Sequence, residues 1–160
     1  MANIICSQPE WRRRIDRAIN INEVCDVNPF GILALQAAYN ESEGWIDELN
    51  QYLWGNYQTL CDFCTQYLPD WKVMPLEGTY LAWVDVSKCC DCDATLPRGE
   101  RVAAYCDRIL KEASVWLNPG TMYGPQSGEG YLRINLACPR SLLIEALNRL
   151  RAALSPTLGL

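Results

Sequence analysis

Arg133 and Asn135 sit two residues apart in the run Tyr131-Leu-Arg-Ile-Asn-Leu136, where Leu132, Ile134 and Leu136 alternate with Tyr131, Arg133 and Asn135. A strand of that period turns the apolar three to one face and the polar three to the other. Upstream, Gly120, Gly124, Gly128 and Gly130 make a loop in which the backbone can bend tightly or let a ligand approach closely. Such a loop and strand present an arginine at the mouth of a site. On alternation alone, Arg133 is a solvated charge on an open sheet face.

Other chemistries are narrowed by what the chain lacks. It has no histidine, which removes histidine-based acid/base catalysis, triads and metal sets. It has three lysines, Lys72, Lys88 and Lys111, and nine cysteines. Cys89, Cys90 and Cys92 fall within four residues and cannot wrap one tetrahedral metal comfortably. Cys61 and Cys64 have a CxxC spacing but lie on a continuous helical pattern, without the turn that metal knuckles and redox motifs use. The cysteines read as reduced thiols of a cytoplasmic protein, and no metal is expected.

At 160 residues the chain is long enough for one ordinary domain with a real core. Fourteen basic against nineteen acidic residues give a net charge of −5, and apart from Arg12-Arg13-Arg14 the basic residues are scattered. Clustered cations facing phosphates are missing, so nucleic acid is not an expected partner. Nor is a membrane, because no run approaches the roughly 18 consecutive apolar residues of a spanning helix.

The elements that must position Arg133 follow from periodicity and punctuation. Ser7 and Glu10 have capping-box spacing ahead of a helix over 9–20, and Asn28-Pro29 caps a second helix through Gly31, Leu33, Leu35 and Ala38. A longer helix starts at Asn40 to Ser42, repeats Ile46, Leu49, Leu53, Tyr57, Leu60, Cys64 and Tyr67, and stops at Pro69. Strands are expected over 72–76, 79–86 and 115–117 as well as at Arg133, with a loop over 87–100. Helices over 100–112 and from Pro139 should bury Val102, Cys106, Ile109 and Leu110, and Leu142, Leu143, Ala146, Leu147 and Leu150. The fold class is α+β: a small antiparallel or mixed sheet with helices packed on one face, plus a long connecting helix.

Three segments, Pro-Gly-Thr-Met-Tyr-Gly from Pro119, Gly-Glu-Gly-Tyr-Leu-Arg-Ile-Asn from Gly128 and Ala-Cys-Pro-Arg from Ala137, change the reading of Arg133. Together they resemble the C-terminal signature of pyridoxal-phosphate (PLP) enzymes of the class I/II aminotransferase fold, most closely the cystathionine β-lyase or cysteine-S-conjugate β-lyase branch. Gly78-Thr-Tyr-Leu-Ala-Trp83 matches the same family. The resemblance implies that residues 41–160 form the small C-terminal domain of a fold type I PLP enzyme. Residues 1–40 would correspond to the large domain or interdomain region. It also implies that Arg133 binds the substrate α-carboxylate, with Asn135 orienting the guanidinium and Tyr80 at the entrance. The cofactor is implied by the family alone. The lysine that would carry it falls before Met1, and none of the three lysines present stands in the family's context, so no residue of the chain is expected to be catalytic or to hold PLP covalently.

The expected function is the carboxylate-binding portion of a carbon–sulfur β-lyase or related aminotransferase, acting on an amino acid. Its partner would be a second copy or a complementing large-domain chain. Two other readings stand beside it: a non-catalytic interaction module that keeps the small-domain fold, and a thiol or metal protein using the cysteine loop.

Overall fold

The computed structural model describes residues 3–23, 27–90 and 95–154. The chain divides into two units, 1–49 and 50–160, with the boundary inside the longest helix.

The first unit holds α1 (Pro9–Asn20), α2 (Pro29–Glu41) and the start of α3 (Glu43–Tyr67). Asn28 caps α2 as expected, its Oδ1 accepting from the Phe30 amide at 2.9 Å. The Ser7/Glu10 capping box does not form. Gln8, not Ser7, is the N-cap of α1 and makes no side-chain cap, and Pro9 opens the helix. None of the described residues from 3 to 49 is buried, and Ile5, Phe30 and Trp45 are largely exposed.

The second unit carries the core. Its strands are β1 (Lys72–Val73), β2 (Leu81–Asp85), β3 (Asn118–Pro119) and β4 (Tyr131–Asn135), all antiparallel in the order β1-β2-β4-β3. Ala82 and Val84 of β2 and Leu132 and Ile134 of β4 face a layer made by the C-terminal part of α3, α5 (Arg98–Ala113) and α6 (Arg140–Leu154). Leu60, Cys64, Val102, Ile109, Leu143, Leu147 and Leu150 meet them there. Two polar aromatics of this core satisfy each other: Trp71 Nε1–H donates to the Tyr105 hydroxyl at 3.0 Å. Helices thus cover one face of the sheet, as the α+β reading requires. Among the described residues no helix is long and apolar enough to cross a membrane.

Several local expectations are corrected. The third strand forms at Asn118–Pro119 and not over 115–117, since its register is set by pairing Asn118 with Arg133 and Pro119 with Leu132. Proline fits there because β3 is an edge strand. Residues 87–100 are not all loop: Ser87–Cys90 form a short helical turn, α4, held where the Ser87 amide and hydroxyl donate to Asp85 Oδ1 at 3.0 and 2.6 Å. Cys92 lies outside the described residues. Leu110 and Leu142 are exposed at 42% and 53%. Each lies one residue, about 100°, from a buried neighbour, and α5 turns Tyr105 and Ile109 inward instead.

Candidate functional site

The open face of the sheet is organised by the loop between β3 and β4. Gly120 and Gly128 lie back to back: a Cβ on Gly128 would sit 2.0 Å from the Gly120 carbonyl oxygen, and one on Gly120 would sit 2.4 Å from that of Gly128. Only glycine at both positions permits this approach. Gly130 turns the chain into β4 at φ +75°, and its carbonyl accepts from the Val86 amide at 2.8 Å. A 3-10 turn over Gly120–Met122 then carries Tyr123 back over the sheet.

Tyr123 completes a cluster that begins with strand register. Trp83 pairs directly with Arg133 across β2 and β4, and Asn118 pairs with Arg133 from the other side. Trp83 meets the Tyr123 ring edge-on, with centroids 5.6 Å apart and planes at 90°. The Arg133 guanidinium carbon lies 4.3 Å from the Tyr123 ring centroid. Arg133 Nε is buried and has no hydrogen-bond partner, and no carboxylate among the described residues pairs with this arginine. A buried, unsatisfied cationic donor is costly, so the geometry favours an anion at that point. Beside the cluster lies a cavity of about 330 Å³ lined by Met74, Trp83, Tyr123, Ser127 and Tyr131 with loop glycines, and no charged side chain is in its wall.

The other two residues singled out from the sequence lie further along the strands. Asn135 ends β4 in an exposed position, and its Oδ1 accepts from the Ala137 amide at 2.8 Å, closing a turn. Tyr80 precedes β2 and is 46% exposed, and its carbonyl accepts from the Leu136 amide at 2.8 Å. Trp83 and Tyr123 were not singled out, although both stand in the quoted segments. Only the cross-strand register and the loop closure bring them to Arg133.

Arg140, seven residues on, has a different environment. Its Nε–H donates to Asn56 Oδ1 at 3.0 Å, an Nη donates to the Tyr52 carbonyl at 3.2 Å, and its amide donates to the Tyr52 hydroxyl at 2.7 Å. Asn56 is fully buried and donates through Nδ2 to the Leu136 and Cys138 carbonyls at 2.9 and 3.0 Å. The turn from β4 to α6 is thereby fastened to α3. A Cβ on Gly55 would meet Arg140 Nη2 at 2.3 Å, so Gly55 makes room for the fastening.

The thiols have no comparable arrangement. Burial pushes Cys64 and Cys106 up to about 12, and raises Cys138 as well, so these sulfurs stay protonated and poorly nucleophilic at neutral pH. Among the described residues no group of three or more cysteine or acidic side chains is disposed to hold a metal.

Comparison with known proteins gives the cluster its context. No protein-family model matches the chain. It is 35% identical over 144 residues to cystathionine beta-lyase PatB of Bacillus subtilis, covering 90% of this chain and 35% of PatB. It is 31% identical over 115 residues to MalY of Escherichia coli, covering 70% of this chain and 27% of MalY. The solved structure of cystalysin from Treponema denticola, which contains a pyridoxal 5′-phosphate cofactor, superposes at TM-score 0.80 with 28% identity over 95% of this chain and 36% of that one. A PLP-bound C-S lyase from Staphylococcus hominis gives 0.73 with 31% identity, over 89% of this chain and 36% of the lyase. The chain belongs to the aminotransferase-fold PLP enzymes, on the cystathionine β-lyase and C-S lyase branch. It spans about a third of the length of the relatives it matches.

Proposed function

We propose that this chain is the substrate-carboxylate-binding portion of a PLP-dependent carbon–sulfur β-lyase or related aminotransferase. The observation that carries the reading is Arg133, whose Nε is buried without a partner on the open face of the sheet. In this reading Arg133 takes the α-carboxylate of an amino acid through a bidentate pair, which fixes the orientation of the substrate Cα. In the same reading Tyr80 stands at the entrance, and Asn135 lies two residues along β4 with its Oδ1 held by the Ala137 amide. The described residues fit this anionic substrate group better than they fit the cofactor, since no amine lines the cavity beside Tyr123. PLP, when bound in the complete site, supplies the electron sink for bond breaking at Cα.

The chain supplies no lysine for that cofactor and is inactive by itself in this proposal. Lys88 is exposed and lies 3.7 Å from Asp70, away from Arg133's cluster. Residues 1–40 pack against the complementing large domain or a second copy, which covers apolar side chains such as Phe30 and Ile32. The test is to supply the missing portion as a separate chain and follow thiol and pyruvate release from a cysteine S-conjugate. Arg133→Ala should lower kcat/KM by about 2 to 4 kcal/mol of transition-state binding. A change of less than about twofold would show that Arg133 only coats the surface.

A further inference from the structure

We propose that Tyr123, braced by Trp83, is a positioning residue for Arg133, carrying the guanidinium in place of a protein carboxylate so that its donors stay free for a ligand carboxylate. The inference rests on the reading of Arg133 as a carboxylate ligand and extends it to how the charge is held ready. An arginine fixed by Asp or Glu has its charge neutralised and its donors occupied, so an incoming carboxylate must displace that partner. An aromatic face attracts the cation without using any N–H, because the five donors point outward in the guanidinium plane. The distances fit that role: the guanidinium carbon is 4.3 Å from the Tyr123 centroid, and Nε remains without a partner. Trp83, perpendicular to Tyr123 at 5.6 Å and paired in register with Arg133, limits where the Tyr123 ring can go. The Gly120/Gly128 approach closes the loop from which Tyr123 hangs.

Arg140 shows what the cluster is not. It too lies over a ring, 5.0 Å from Tyr52, but its Nε and an Nη are spent on protein acceptors.

The experiment is NMR of the arginine Nε–H signals of the chain, with acetate as the probe. The Arg133 signal is identified by its loss in Arg133→Ala. It should be displaced by the Tyr123 ring current in the wild type and in Tyr123→Phe, and return toward the ordinary arginine position in Tyr123→Leu. Acetate should shift it in the first two proteins and bind about tenfold more weakly in Tyr123→Leu. If Tyr123→Leu does not fold, Trp83→Leu reads the same signal. Equal acetate binding and an unmoved Arg133 signal in the leucine variant overturn the positioning role alone. A ring-displaced Arg133 signal that ignores acetate in the wild type overturns the carboxylate reading, and the positioning role falls with it.

Discussion

Arg133 and Arg140 stand seven residues apart, on the same strand-turn-helix segment, and both lie over a tyrosine. One has its Nε and an Nη on protein acceptors, and the other is left with a buried Nε that nothing in the described chain satisfies. Structural arginines are recognised by complete pairing, because a buried cation must recover its lost hydration from the protein itself. Arg133 departs from that pattern in a segment where the sheet face is open and glycines let the backbone close around it. On the proposed reading, the difference separates a residue that holds the fold from one kept ready for a ligand.

Breaking the Arg140 fastening should have the largest effect on stability. Asn56→Ala strands Arg140 Nε and the Cys138 carbonyl and leaves the Leu136 carbonyl with the Cys138 amide alone, and should cost about 3 to 5 kcal/mol in urea unfolding. A loss below about 1 kcal/mol would mean that water replaces Asn56 and that the two arginines differ less than their partners suggest.

Gly128→Ala attacks the other side of the comparison. Its Cβ would meet the Gly120 backbone at 2.0 Å, so the loop must shift, at a cost of about 1 to 3 kcal/mol. The ring-current displacement at Arg133 should be lost in the same protein while the contacts around Arg140 remain. Loss of both together would mean that the loop and the turn are one structural unit.

Alkaline pH separates the helix-covered face from both arginines, which stay charged throughout. Cys64 and Cys106 titrate near 9.0 when unprotected and at about 12 in the folded chain, because burial disfavours the thiolate. The folded chain therefore keeps protons that the unfolded chain releases. Stability should be unaffected by these thiols below pH 9 and should fall between 9 and about 12. Each thiol contributes a slope approaching about 1.4 kcal/mol per pH unit. Urea midpoints across that range, in the wild type and in the Cys64→Ala/Cys106→Ala double variant, check it: the variant should show the shallower decline.

The smallest effect is expected where function is proposed. Arg133→Ala removes a cation that no hydrogen bond or ion pair from the described residues stabilises, and unfolding should change by less than about 1 kcal/mol. A loss as large as that of Asn56→Ala would place Arg133 beside Arg140 as a structural residue.

The sequence by itself determined the local elements and the face of the strand on which Arg133 lies. Alternation over 131–136 is a backbone property of period two, and it held through β4, where Leu132 and Ile134 are buried. The same local logic found α1, the Asn28 cap and most of the buried stripes, and the combined segments around Arg133 carried the resemblance to C-S lyases that the relatives bear out. It failed where a neighbour from elsewhere in the chain decided the outcome. The third strand, β3, formed where Arg133 and Leu132 offered a ladder, not where branched residues favoured one. Tertiary structure alone decided which arginine is satisfied. The acceptor for Arg140 is 84 positions away on α3, and Trp83 reaches Arg133 only through the β2–β4 register. Sequence spacing cannot report such meetings, because they depend on how separate elements pack and on glycines that let one loop close against itself.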